Sequence, residues 1–135
     1  MGIKQTLQKA FSTRTETNEK HPDETLQTHY YKAMKDKVMA ELQTMFSQKQ
    51  GYTVSSVSEE HGEIIVNTTS GKKQFIVITV IMVRPYRTAV DFAVNTDTVL
   101  FTDFGSSAKM VRSLYKELNS RLTFVGTALG DELSR

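Results

Sequence analysis

The apolar positions of this chain keep two different rhythms. Leu26, Tyr30, Met34, Val38, Leu42 and Phe46 recur every four residues, with Ala33 and Met45 beside them, and Gly51 closes the run. Such spacing places side chains on one stripe of a helix, so it predicts a helix over 33–48. Pro22, Asp23 and Glu24 suit a helix start, because proline tolerates the first turn and acids there meet the positive end of the dipole. Over 25–31 a second reading competes, since Leu26, Thr28 and Tyr30 also alternate as a short strand does. Helix and strand stand level there. A later stripe of Met110, Val111, Leu114, Leu118 and Leu122 predicts a last helix over 107–122, capped by Ser106 or Ser107.

Between the two helices the period drops to two. Residues 52–58 are rich in Thr, Val and Ser, and Glu59-Glu60-His61-Gly62 reads as a turn. Residues 63–69 follow, then a turn at Ser70-Gly71, and then 75–83, apolar on both faces. Arg84-Pro85-Tyr86-Arg87 breaks that run. The next strand alternates, with Val90, Phe92 and Val94 on one face and Asp91, Ala93 and Asn95 on the other. The expected fold class is α+β: an antiparallel meander of about four strands with two helices on one face, in the order α or β-α, then four strands, then α.

Residues 12–21 hold no apolar side chain and read as a linker. Ahead of them Ile3, Leu7, Ala10 and Phe11 mark one side of a short amphipathic segment. The expected organisation is an arm and linker over 1–21, one domain over 22–127 and a C-terminal tail over 128–135. Val99, Leu100 and Phe101 are expected to pack, and 123–126 to close against the sheet. The two-sided strand sharpens the picture. Phe75, Val77, Ile81 and Val83 project one way and Ile76, Ile78, Val80 and Met82 the other; one set can pack under the helices, and the other needs another cover. The arm, residues 97–104 or a second copy of the chain could supply it, and a homodimer is the favoured expectation.

With 135 residues, the chain can bury a core of its own as one domain. It has no cysteine, which removes disulfides, thiolate nucleophiles and Cys-ligated zinc. The longest apolar run, 75–83, is far short of the roughly 20 residues a membrane helix needs. Polar residues interrupt the first ten positions, so neither a secretory signal nor a span is expected, and a cytoplasmic setting is. A net charge of +2 points to no partner by itself.

Candidate chemistry is sparse. Asp103-Phe104-Gly105 matches a kinase metal-binding triplet as text, but the chain has no Gly-rich nucleotide loop, and the triplet reads as a lead into the last helix. His21, His29 and His61 keep no metal-ligand spacing, and Asp91 is expected to face solvent or a neighbouring base. No catalytic residue, metal or cofactor is predicted. The best binding feature is basic: Lys72 and Lys73 at one turn, Arg84 and Arg87 flanking Tyr86 at the next. These pairs should lie at opposite ends of one strand, and charged hairpin turns are commonly no more than solubilising. Tyr30 belongs to the apolar stripe, which leaves Tyr31 for recognition.

Thr28-His-Tyr-Tyr-Lys32, the run from Val77 to Phe92, Ser113-Leu-Tyr-Lys-Glu-Leu118 and Thr123-Phe-Val-Gly-Thr127 together resemble a group of short uncharacterised cytosolic proteins of Bacillus-type bacteria. The resemblance covers roughly 26–127 and implies a bacterial cytosolic setting and no assigned activity. The expected function is a non-catalytic binding or protein-interaction module. The first alternative is anion or nucleic-acid binding through Arg84, Tyr86 and Arg87; the second is a carrier of a small apolar ligand between sheet and helices.

Overall fold

A computed structural model describes residues 13–98 and 103–127. The chain runs β1 (Arg14–Glu16), a 3-10 turn (Glu24–Leu26), β2 (His29–Tyr31), α1 (Lys35–Ser47), β3 (Tyr52–Ser58), β4 (Glu63–Thr68), β5 (Gln74–Arg84), β6 (Arg87–Thr96), α2 (Ser106–Arg121) and β7 (Phe124–Gly126). The α+β class and the antiparallel sheet under two helices are as expected. The sheet, however, has seven strands rather than about four, in the spatial order β3-β4-β5-β6-β2-β7 with β1 also on β6.

The three additional strands are short and gather on one side of β6. β5 occupies one edge of β6 along its whole length. β2 pairs with Thr88, Ala89 and Val90 on the other edge, and β1 with Ala93, Val94 and Asn95. The two lie end to end. In the gap between them, Thr17 N donates to Phe92 O at 2.9 Å and Phe92 N donates to Thr17 Oγ1 at 3.0 Å, so the edge is satisfied without a strand. The linker expected over 12–21 is thereby corrected. Its polar residues pair through the backbone, which needs no apolar pattern.

Residues 25–31 resolve into a 3-10 turn followed by a strand. Asp23 Oδ1 accepts from Thr25 N at 2.9 Å, and the turn ends at Gln27 in an extended conformation. Tyr30 is therefore not on a helix stripe. It lies opposite Ala89 on the far face of the sheet, fully buried, and its hydroxyl donates to Glu19.

The core lies between the helices and one sheet face. Ile64, Val66, Ile76, Ile78, Val80, Val90, Phe92 and Val94 meet Val38, Leu42 and Phe46 of α1 and Val111, Leu114 and Leu118 of α2. The far face of β5 is the one the apolar pattern left without cover. Phe75 is 40% exposed, Ile81 52% and Val83 44%; Met82 is 38% exposed although Ile76, Ile78 and Val80 of its set are buried under the helices. Both the arm with Ile3, Leu7 and Phe11 and the segment with Val99, Leu100 and Phe101 lie outside the described residues. Among the described residues no helix is long and apolar enough to cross a membrane.

The cap of α2 also departs from expectation. Gly105, with φ of 82°, stands at the N-cap, and the Asp103 carboxylate accepts from Ser107 N at 3.0 Å and Thr96 Oγ1 at 2.8 Å. Burial raises the Asp103 pKa, but these hydrogen bonds outweigh it and hold the group below its ordinary value. The Asp-Phe-Gly triplet is a helix entrance.

Candidate ligand-binding cleft

Two stretches distant in sequence, 24–31 and 112–127, meet at the β7 edge of the sheet. β2 contributes His29, α2 contributes Arg112, Tyr115, Lys116 and Asn119, and β7 contributes Phe124. Together with Glu24 and Thr25 of the 3-10 turn they line most of a cleft of about 370 Å³. Thr127, the last described residue, stands at its rim.

Alternation along β2 aims His29 and Tyr31 at α2. The His29 ring lies flat on Tyr115, with centroids 3.5 Å apart and planes within 6°. Phe124 approaches His29 at 4.8 Å, tilted by 33°. The imidazole is thus flanked by two aromatic rings. Tyr31 hydroxyl donates to Asn119 Oδ1 at 2.6 Å, and Tyr115 hydroxyl donates to Val90 O at 2.7 Å, tying α2 to the sheet at two points. Arg112 closes one lip by donating to Asp23 Oδ2 at 2.7 Å and Thr25 Oγ1 at 2.9 Å.

The protonation state of His29 follows from its surroundings. Burial lowers its pKa to about 4, so the ring is neutral near pH 7. Its Nδ1 lies 2.8 Å from Gln27 O. A carbonyl can only accept, so the single proton of the neutral ring sits on Nδ1. Nε2 then carries a lone pair that no hydrogen bond to the described residues occupies, and it is not sealed from solvent. Burial likewise raises the pKa of Tyr115 and of Tyr31, and neither phenol ionises in the physiological range.

The residues singled out from sequence lie elsewhere. Arg84, Tyr86 and Arg87 form the β5–β6 turn, and Lys72 and Lys73 the β4–β5 turn. An 11-residue strand separates them, which at about 3.3 Å per residue exceeds 30 Å, so the two sets do not meet. Tyr31 is fully buried and reaches the cleft wall through its ring contact with Phe124 rather than standing free. Asp91 does not face open solvent or a base: its Oδ1 accepts from Thr17 at 2.6 Å and Thr28 at 2.7 Å. Burial raises its pKa, the two threonines lower it, and nearby Glu19 and Glu16 add to the rise. His61 bonds Ser58 in its turn and His21 Nδ1 accepts from Asp23 N, as turn histidines do. His29 is what the spacing rules missed, because its partners come from residues 115 and 124.

No protein-family model, curated protein or solved structure matches the chain.

Proposed function

We propose that the protein is a non-catalytic binding module whose ligand seat is the cleft between β2, α2 and β7. The observation that carries this reading is the His29 ring, held neutral between Tyr115 and Phe124 with an acceptor nitrogen left without a partner. A neutral imidazole nitrogen at the wall of a cleft is an acceptor that a ligand donor can meet in place of water. Glu24, Arg112 and Lys116 are the other ionisable side chains along the walls apart from the inert Tyr115, and none of them hydrogen-bonds His29. No acid–base pair is assembled, which favours binding over turnover. Amide spectra of the labelled protein, titrated with the small-molecule fraction of a cell extract, should shift at 24–29 and 112–127. Shifts confined to other regions, or none, would refute the cleft as the seat.

A second reading rests on the β5–β6 turn. Arg84 and Arg87 are cross-strand partners at this turn, so two guanidinium groups flank Tyr86. Tyr86 between them holds φ at 60° with its ring 59% exposed, a backbone state that costs a non-glycine residue about 1–2 kcal/mol. Strain that presents an aromatic ring between two guanidinium groups suits a phosphate-bearing partner. If duplex DNA binds there, replacing Arg84 and Arg87 together by Ala should flatten the log–log salt dependence by about two. An unchanged slope, or no binding by the wild type at low salt, removes this reading.

A further inference from the structure

We infer that the cleft between β2, α2 and β7 takes a planar aromatic or heteroaromatic carboxylate that also carries a ring N–H or O–H donor. This rests on the cleft being the ligand seat and adds the class of ligand. Each part of the description answers a feature of the walls.

The planar ring answers Phe124. One side of its ring covers His29, and the residue is still 38% exposed, which leaves aromatic surface open beside the cleft. An offset stack there would extend the series Tyr115, His29, Phe124 by one more ring. The ring donor answers His29, whose neutral Nε2 can only accept.

The single negative charge answers α2. Arg112, Lys116 and Asn119 are spaced by four and three residues, so they share one helix face. Lys116 forms no ion pair among the described residues. Asn119 accepts from Tyr31 through Oδ1, which leaves its amide group as a donor. Arg112 is engaged with Asp23 and Thr25 but keeps further N–H groups. Two adjacent donors, one of them charged, suit the two oxygens of a carboxylate. Glu24, in the 3-10 turn between Asp23 and Thr25, is the one acid along the walls and accepts a donor rather than an acid.

A phosphate fits less well. Lys116 and Asn119 occupy the C-terminal half of α2, towards the negative end of the helix dipole. The wall also has no helix N-terminus of the kind that binds phosphate. Charge favours a monoanion over a dianion here.

Indole-2-carboxylate, which has both the ring N–H and the acid, is a suitable probe for titration of the full chain by amide spectra and calorimetry. The expected result is saturable binding with shifts at 24–29 and 112–127. It should exceed the affinity of indole-2-carboxamide, 1-methylindole-2-carboxylate and cyclohexanecarboxylate by about fivefold or more each, since the first lacks the charge, the second the ring donor, and the third both the flat ring and the donor. Lys116→Gln, at an exposed position, should bring the acid close to the carboxamide, and Phe124→Leu should weaken all ring-bearing probes together. Equal binding of acid and carboxamide, or tighter binding of adenosine monophosphate, overturns the carboxylate class and leaves the cleft standing as a seat. Absence of any shift at the cleft with every probe overturns both.

Discussion

Gly62→Ala should remove at least about 3 kcal/mol of stability, the largest loss expected from adding a single methyl group to this protein. Gly62 ends the turn into β4 with φ of 66°, where any side chain costs about 1–2 kcal/mol. A Cβ there would also stand 2.1 Å from the carbonyl oxygen of Val80 and 3.2 Å from its carbon. That backbone cannot retreat cheaply. Val80 N donates to Gly62 O at 2.7 Å, its side chain is buried, and the residue pairs with Val90 on the other side. The methyl therefore drives two strands apart. Gly71→Ala is the control, with a similar φ of 73° and nothing near the added atom, so it should show only the conformational cost. Urea denaturation of both variants checks this. Equal midpoints would mean that β4 and β5 give way more easily than their pairing implies.

The second large effect is a loss of stability on the acid side of neutrality. The pKa of His29 falls from 6.5 to about 4 on folding, so between those values the unfolded chain binds a proton that the folded chain refuses. Stability from this group is complete above pH 6.5 and declines as pH falls toward 4. The total is about 3 kcal/mol at about 1.4 kcal/mol per pH unit. Asp91 works the other way, because its raised pKa lets the folded protein take up a proton first, above 3.8. Asp23, lowered to about 2, begins to cost stability only below 3.8. His29→Phe isolates the histidine. It keeps a ring between Tyr115 and Phe124, removes the titration, and should flatten the slope between pH 6.5 and 4 although it weakens the fold at every pH. A variant with the wild-type slope would show that the ring is charged in the folded state.

The large elements were legible because each imposes its own period on the chain. The stripe ending at Leu42 and Phe46, the one ending at Leu118, and the two-sided run through Ile76, Ile78 and Val80 needed no tertiary information. Three-residue strands do not have that advantage. Arg14–Glu16 and Phe124–Gly126 are shorter than a period can be counted over, and what selects them is the free edge of β6 and then of β2. The four-residue recurrence misled at Leu26 and Tyr30. Leu26 is buried from a 3-10 turn and Tyr30 from the opposite face of a strand, so their spacing was real and its cause was different. The cleft was illegible for the same reason. Nothing local marks His29 as special, and its surroundings exist only once α2 and β7 have closed on β2. Charge clusters, by contrast, are visible in any sequence, which is why Lys72, Lys73, Arg84 and Arg87 drew notice first.

The end-to-end seating of β1 and β2 on β6 sets a timetable for the newly made chain. Both strands leave the ribosome early, yet the edge that receives them is built from residues 88–95. At 5–20 residues per second, the roughly 60 residues between Tyr31 and Val90 take about 3–12 s to synthesise. Throughout that interval the tyrosines of β2 have no sheet to join. Residues 14–31 are made first and placed late, and β7 can dock on β2 only after that. Nascent chains halted before residue 88 should therefore leave this segment open to protease, and chains halted well beyond 126 should protect it.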